Sequence, residues 1–276
     1  MLKAFISVDM EGLPHVVSYE HMTYGRALYD EGRRIMTDCV LAVVEELKKS
    51  GVNQVVVADS HGPMVSLIPE RMPSAVSIVR GTPRRSSMVA GSKGCDFGIF
   101  LGYHAKAGSA KSTFDHTIAG GTIARLSLNG VQASEFLICS ACLGDLDIPV
   151  VMVAGDRSLV DGDVRKFAPW SVRVAMKDSL NTTAAISPSM PDMVAQLKEG
   201  TSRAVTEFNA RKMKPLRLKE PIVVQIDFVN SANSNIASAL PGSQRVGGNG
   251  VRFKAKDAWE AFAVTELLLY AAIGAK

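Results

Sequence analysis

Short apolar runs alternate with helix-like segments along the first two-thirds of the chain. The runs are KAFISV, NQVVVAD, DFGIFLGY and PVVMVAG, and each is followed by polar residues. Between the first two, residues 30–49 place apolar side chains at helical spacing on one face, namely Ile35, Cys39, Val43 and Leu47. Continuous apolar strands separated by helices are typical of a parallel sheet that is covered on both sides. We therefore predict an α/β fold with a mostly parallel sheet covered by helices.

The pattern changes after Asp178. A long helix is predicted to begin at Ser189 and Pro191, and two strand-like segments (PIVVQIDFV and VRFKA) and an apolar helix follow it. This order indicates a smaller C-terminal α+β domain. We place the two domains at residues 1–185 and 186–276. Within the first, ARLSLNGVQASE predicts a hairpin that turns at its Asn-Gly pair.

Composition and charge exclude several classes of protein. The 276 residues are 47% hydrophobic and 21% charged, which is ordinary for a globular protein. The net charge of +4 is spread along the chain, so we expect no nucleic-acid partner. The four cysteines suggest no disulfide framework, and the longest apolar segment falls short of the ~20 residues that a membrane span needs. We predict a cytoplasmic protein with no membrane partner.

Carboxylates and imidazoles follow three successive strand patterns. Asp9 and Glu11 follow the first, His61 the second and His104 the third. The carboxyl ends of parallel strands meet at one edge of a sheet, so these groups are expected to converge. Asp9 and Glu11, two residues apart, point the same way, and each raises the pKa of the other unless a cation lies between them. A metal ion at this edge is the prediction.

Two further residues extend this set. His116 lies in a loop rich in glycine and serine, and Glu135 begins a helix after the Asn-Gly turn. Carboxylates and imidazoles together suit zinc, with manganese or cobalt as other options. The set of five predicted ligands exceeds the needs of one tetrahedral ion, and a pair of ions about 3.5–4 Å apart would use all of it. The five predicted ligands are Asp9, Glu11, His61, His104 and Glu135.

Each of these residues also has a plain structural interpretation, such as a solvated strand end, a turn residue or a helix cap. The joint occurrence on three successive strands is what favours the metal site. We expect Asp59 and Asp115 to be acceptors for ligating histidines or loop caps. His15 and His21 are interpreted as surface or loop residues, and Lys106 as a charge near the mouth of the site.

Taken together, SVDMEG, ADSHG, LGYHA, DHT, NG-x-x-x-SE, PVVMVAGD and ALPG resemble the motifs of the dinuclear-zinc D-aminopeptidases. The resemblance covers nearly the whole chain and implies an α/β domain with a smaller second domain. It also implies that the five predicted ligands bind two zinc ions per subunit and that His116 is the catalytic histidine. The typical member is a ring-like homodecamer, so a homo-oligomer, and more specifically a decamer, is what the resemblance implies.

The sequence therefore predicts a zinc-dependent aminopeptidase that removes the N-terminal residue of short peptides. The preference for a D-amino acid rests on the resemblance alone. A water activated by two metal ions would attack, with His116 acting as nucleophile or as general acid or base. Two alternatives stay open at this point: a metallo-phosphoesterase, and a non-catalytic protein that binds metal or peptide.

Overall fold

The computed structural model describes residues 1–274. The strands are β1 (Leu2–Val8), β2 (Val52–Asp59), β3 (Val76–Val79), β4 (Phe97–Tyr103), β5 (Ile123–Leu128), β6 (Val131–Gln132), β7 (Val150–Asp156), β8 (Val172–Asn181), β9 (Ala184–Ile186), β10 (Ile222–Phe228), β11 (Gln244–Val246) and β12 (Gly250–Ala255). The helices are α1 (Tyr19–Met22), α2 (Tyr29–Lys49), α3 (Glu135–Asp145), α4 (Arg157–Leu159), α5 (Arg165–Phe167), α6 (Met190–Asn209), α7 (Ser231–Ala237) and α8 (Ala258–Ile273).

A seven-stranded sheet carries the predicted strands of the first two-thirds of the chain. Its order is β3-β2-β1-β4-β7-β8-β9, and only the pairing of β8 with the edge strand β9 is antiparallel. From β1 the chain passes through α2 to β2 and the edge strand β3, and then crosses back to β4 on the other side of β1. The predicted mostly parallel sheet is confirmed.

Apolar side chains cover both faces of this sheet. Along β1 the faces alternate, so that Ile6 packs in the cluster under α2 and α6, while Phe5 packs in the cluster under α3 and α8. Both side chains are fully buried. A strand that is buried on both faces must be apolar at nearly every position, which explains the continuous run in KAFISV.

A second, antiparallel sheet has the order β11-β12-β10-β5-β6. The predicted hairpin between β5 and β6 turns at Asn129 and Gly130, whose φ angles of 51° and 80° suit a two-residue turn. This hairpin pairs with β10 from far along the chain, for example Leu128 with Val224. The small sheet therefore combines two distant stretches of sequence.

The helix predicted after Ser189 is α6. The Ser189 side chain accepts a hydrogen bond from the backbone of Asp192, and Pro191 lies in the first turn. α6 packs against α2 and against β7 and β8 of the large sheet. The division into residues 1–185 and 186–276 stays a prediction; the hairpin before residue 185 joins the small sheet, and α6 after it covers the large one.

Two histidines are interpreted from the sequence as surface or loop residues. His15 lies in the loop after β1 and is partly buried. His21 is buried within α1, with its Nε2 atom 3.7 Å from the Glu31 carboxylate, so that interpretation is wrong for His21. The short helix α1 gives no periodic signal from which its buried face could be inferred.

No helix within residues 1–274 has the length and apolar character needed to cross a membrane.

Candidate metal centre

The ends of β1, β2 and β4 lie side by side at the centre of the large sheet. The Asp9 N–H donates to the carbonyl of Leu101 in β4 at 2.8 Å, and the Ser60 N–H donates to the carbonyl of Val8 in β1 at 2.8 Å. These bonds fix the residues just beyond the strands against one another. The predicted convergence of three strand ends at one edge is therefore present.

Two glycines allow this close approach of backbones. A Cβ atom on Gly12 would lie 2.0 Å from the Tyr103 carbonyl oxygen. A Cβ atom on Gly102 would lie 2.1 Å from the Asp9 carbonyl oxygen, and Gly102 also has a φ of +67°. The glycines of SVDMEG and LGYHA are thus required by packing of the segments that carry Asp9 and His104.

Six side chains meet above these strand ends in two groups, whose ligand atoms all lie within 4.8 Å of one another inside each group. One group is Asp9, Glu11 and His61, and the other is His104, His116 and Glu135. All five predicted ligands and the predicted catalytic histidine are therefore brought together. The five are buried, whereas the His116 side chain is 24% exposed.

The carboxylate of Asp9 faces both groups. Its Oδ1 atom lies 3.4 Å from Nδ1 of His61, and its Oδ2 atom lies 3.7 Å from Nε2 of His104. Glu11 contacts only the first of these imidazoles, at 2.9 Å, and Glu135 the second, at 3.6 Å. The geometry is that of two neighbouring sites with one carboxylate between them.

Each of the three imidazoles is tied to a backbone carbonyl through one ring nitrogen. His61 Nε2 lies 2.9 Å from the Met22 carbonyl oxygen, His104 Nδ1 lies 3.0 Å from that of Ala105, and His116 Nδ1 lies 2.7 Å from that of Phe114. A carbonyl oxygen only accepts, so these nitrogens carry the hydrogen. The other nitrogen of each ring faces the carboxylates.

His104 gives the clearest sign of a missing partner. Its Nε2 atom is buried and has no hydrogen-bond partner, although two carboxylates lie nearby. A histidine that binds metal through one nitrogen normally donates its other N–H to a carbonyl or carboxylate. The donor set and this orphaned nitrogen both fit a bound metal cation.

Burial and mutual charge shift the pKa values of these groups. Burial raises the pKa of Asp9 well above its ordinary value, and the negative charge of Glu11 raises it further. Burial disfavours the charged form of His104, but the carboxylate of Glu135 outweighs burial and raises the His104 pKa to about 10. Burial likewise opposes the charged form of Glu11, yet His61 holds its pKa well below the usual range. The cluster requires positive charge, which a metal ion can supply.

A buried lysine supports the site from behind, and sequence reasoning missed it. Lys177 within β8 is 1% exposed, and its Nζ donates to the carbonyl oxygens of Glu11 and Val16. Burial lowers its pKa to about 8. The available signal is a lysine at the end of the strand-like sequence VRVAMK, although the strand itself continues beyond it to Asn181. Its ammonium fixes the backbone of the loop that carries the two carboxylates.

The residues expected to assist the histidines have other partners. Asp59 accepts a hydrogen bond from the Leu67 N–H at 2.7 Å, and Asp115 accepts one from the Gly108 N–H at 2.8 Å. Both therefore cap loops, which is one of the two roles expected. Lys106 forms an ion pair with Asp163.

A cavity of about 170 Å³ opens above the predicted ligands. Its lining includes Asp9, Glu11, His61, His116 and Glu135. Helix α8 supplies part of the facing wall through Phe262, Glu266, Leu269 and Tyr270. The sequence predicts an apolar C-terminal helix, but it gives no indication that this helix borders the site.

The profile of the D-aminopeptidase family matches residues 2–267. The chain belongs to the D-aminopeptidase family. A D-aminopeptidase of Bacillus subtilis (strain 168) is 31% identical over 263 residues, which span 95% of this chain and 94% of that protein. The family resemblance of the sequence motifs and the predicted class, a hydrolase of peptide bonds, are confirmed.

A solved structure extends the family match to the fold. The Zn-dependent D-aminopeptidase DppA from Bacillus subtilis, described as a self-compartmentalizing protease, aligns with a TM-score of 0.94 at 29% identity. The alignment covers 99% of this chain and 98% of that chain. The predicted fold class is confirmed, and neither the phosphoesterase nor the non-catalytic alternative is favoured.

Proposed function

We propose that this family member is a zinc-dependent aminopeptidase that removes an N-terminal D-amino acid from short peptides. The observation that carries the proposal is the pair of three-residue groups at the strand ends, in which each imidazole donates one N–H to a carbonyl and turns its other nitrogen inward. The zinc dependence of the similar DppA structure supports zinc as the metal.

Five residues would hold two zinc ions: Asp9, Glu11, His61, His104 and Glu135. Asp9 is proposed as the shared ligand because its two oxygens face His61 and His104 respectively. When bound, the ions would polarise the scissile carbonyl and lower the pKa of a water molecule toward neutrality. Manganese or cobalt would suit the same donors.

His116 is proposed as the catalytic residue. It is the most exposed of the six side chains and lines the cavity, so a substrate can reach it. Because its Nδ1 atom donates to Phe114, the lone pair is on Nε2, which lies 3.9 Å from the Glu135 carboxylate. Nε2 can accept a proton from the attacking water and return it to the leaving amine, and Glu135 would stabilise the imidazolium in between.

The test compares three histidine variants by zinc content and by hydrolysis of D-Ala-D-Ala. His104→Ala should lose zinc and activity together. His116→Ala should keep both zinc ions and lose about 10²–10⁴-fold in kcat, the usual contribution of general acid–base catalysis. His15→Ala, which removes an imidazole outside the cavity, should change neither.

Two outcomes would contradict these roles. Full zinc and full activity in His104→Ala would remove that residue from the site. Loss of one zinc equivalent in His116→Ala would make His116 a ligand, as its membership of the second three-residue group also permits.

We also propose that the chain forms a homo-oligomer, as a decamer, in the cytoplasm. The similar DppA is described as self-compartmentalizing, which requires assembly of subunits. Apolar side chains exposed on α7 and α8 could be covered by another subunit; they are Ile236, Leu267, Tyr270 and Ile273. All four cysteines lie within the described residues and are free, which supports a reducing compartment. Light scattering of the purified protein measures the subunit number.

A further inference from the structure

The cavity above the ligand set carries one acidic side chain that belongs to neither three-residue group. This residue is Glu266 of α8. It lies one turn from Phe262 and one turn from Tyr270 on the face that borders the cavity, with Leu269 beside it. The carboxylate is therefore presented to the cavity from among apolar and aromatic side chains.

Glu266 lies near the positive charge of Arg84 but forms no ion pair in the part of the chain that the structure describes. None of the ion pairs there includes it. The nearby guanidinium of Arg84 instead donates to the carbonyl oxygens of Asp59, Val79 and Ser87. Burial raises the pKa of Glu266, while Ser87 and Arg84 act in the opposite direction. A half-buried carboxylate that is engaged in no ion pair can bind a cation.

No lysine or arginine lines this cavity among residues 1–274. The α8 side of the cavity therefore presents one negative charge and no positive charge to a substrate. Three of the four carboxylates in the cavity lining, those of Asp9, Glu11 and Glu135, lie against imidazoles of the predicted ligand set, and Glu266 is the fourth.

This role sets the distance between the anchoring carboxylate and the attacked carbon. In an aminopeptidase substrate, the ammonium nitrogen is two bonds from the scissile carbonyl carbon, about 2.5 Å away. A charge-assisted hydrogen bond adds about 2.8 Å, so the anchoring oxygen must lie about 5 Å from the attacked carbon. Glu266 and the predicted ligand residues Asp9, Glu11, His61 and Glu135 line the same cavity of about 170 Å³. One small substrate end in this cavity can therefore contact both sides at once.

We propose that Glu266 binds the free α-ammonium group of the substrate and so restricts cleavage to the N-terminal residue. This inference rests on the proposed aminopeptidase function and names the residue that selects the substrate end. Phe262 and Tyr270 would enclose the first side chain of the peptide. Glu266 then binds the substrate and is not a ligand of the metal.

The test uses Glu266→Gln in the full-length zinc-loaded protein. This change preserves shape and removes the charge. The kcat/KM for D-Ala-D-Ala should fall about 10- to 100-fold, mainly through KM, as expected when a hydrogen bond to a charged group is lost. Glu266→Asp keeps the charge on a shorter side chain, so its kcat/KM should lie between the values of the wild type and Glu266→Gln. Glu199→Gln, which removes a similar charge from the exposed surface of α6, is the matched control and should have no effect.

A second measurement does not depend on turnover. D-alaninol has the ammonium group but no bond to cleave, and its N-acetyl derivative lacks the ammonium. Calorimetry should show alaninol binding to the wild-type protein, binding that is at least ten-fold weaker in Glu266→Gln, and no preference of that variant for the free amine over its acetylated form.

The outcomes separate the two proposals. If the wild-type protein hydrolyses no aminoacyl substrate, the proposed function fails, and the binding measurement still tests Glu266. If the wild-type protein is active and Glu266→Gln keeps its KM and its alaninol affinity, the role of Glu266 is refuted. Loss of zinc in Glu266→Gln would make the residue a metal ligand and would also overturn the inference.

Discussion

Asp9→Asn should stabilise the metal-free protein and destabilise the zinc-loaded one. Asparagine has nearly the shape of aspartate and keeps the Oδ1 atom that accepts the Met10 N–H at 2.8 Å. It removes the negative charge from a buried side chain that lies between the two groups of ligands. The same substitution therefore has opposite effects in the two states.

The magnitude for the metal-free state follows from the distance between charges. Ligand atoms of Asp9 and Glu11 lie within 4.8 Å of each other. Two unit charges at that separation repel by about 3.5 kcal/mol at an effective dielectric constant of about 20. Because burial and Glu11 raise the Asp9 pKa, protonation already relieves part of this repulsion. We expect a gain of about 1–3 kcal/mol, or about 2–6 °C in Tm.

In the zinc-loaded state, the wild type should be more stable than Asp9→Asn. Free zinc at 100 times its Kd adds about 2.7 kcal/mol to the stability of a protein that binds it only when folded. Asp9→Asn removes the proposed shared ligand and should lose most of this gain. Thermal melts followed by circular dichroism, after dialysis against a chelator and again with added zinc, measure both effects. Asp30→Asn, at an exposed position in α2, is the control and should change neither melt.

Either half of this expectation can be refuted separately. A metal-free Asp9→Asn protein that melts below metal-free wild type would show that repulsion between the two buried carboxylates does not control the stability of the metal-free state. A full zinc-dependent rise of Tm in the variant would show that Asp9 does not hold the metal.

Two further predictions concern the supports of the site. Burial lowers the Lys177 pKa from 10.5 to about 8. Between these two pH values the unfolded chain holds the proton and the folded protein does not. The free energy of unfolding therefore rises with pH across this range, by up to about 3 kcal/mol. Urea melts at pH 7.5 and pH 10 should show this rise in the wild type and not in Lys177→Met. Gly12→Ala places a Cβ atom 2.0 Å from the Tyr103 carbonyl oxygen, so Tm and zinc content should both fall. An unchanged Tm and full zinc occupancy would show that the segments around Gly12 and Tyr103 can move apart without loss of stability or of metal.

The central strands could be predicted because burial on both faces requires nearly continuous apolar sequence. β1 and β4 are of this kind. The edge strand β3 has only partly buried or exposed residues, VSIV, and it lacks a distinctive pattern. The partners of the β5–β6 hairpin could not be inferred either, because pairing with β10 joins residues almost one hundred positions apart.

The gathering of the proposed ligand residues could be predicted because the carboxyl ends of adjacent parallel strands meet at one edge of the sheet. The hydrogen bonds that hold these residues in place could not be inferred from the sequence. The hydrogen-bond acceptors of His61 and His104 are backbone carbonyls, which every residue possesses. In the sequence, Glu266 is only a charged residue within an apolar helix. Periodicity identifies a face of a helix but not the cavity that the face borders.

The order of the site along the chain has a consequence for its biosynthesis. The proposed metal-binding set is complete by Glu135, whereas the wall that carries Glu266 belongs to α8, more than one hundred residues later. A nascent chain would thus expose its carboxylates and imidazoles well before the helix that closes the cavity could dock. Metal acquisition and substrate selection would then mature at different times during synthesis.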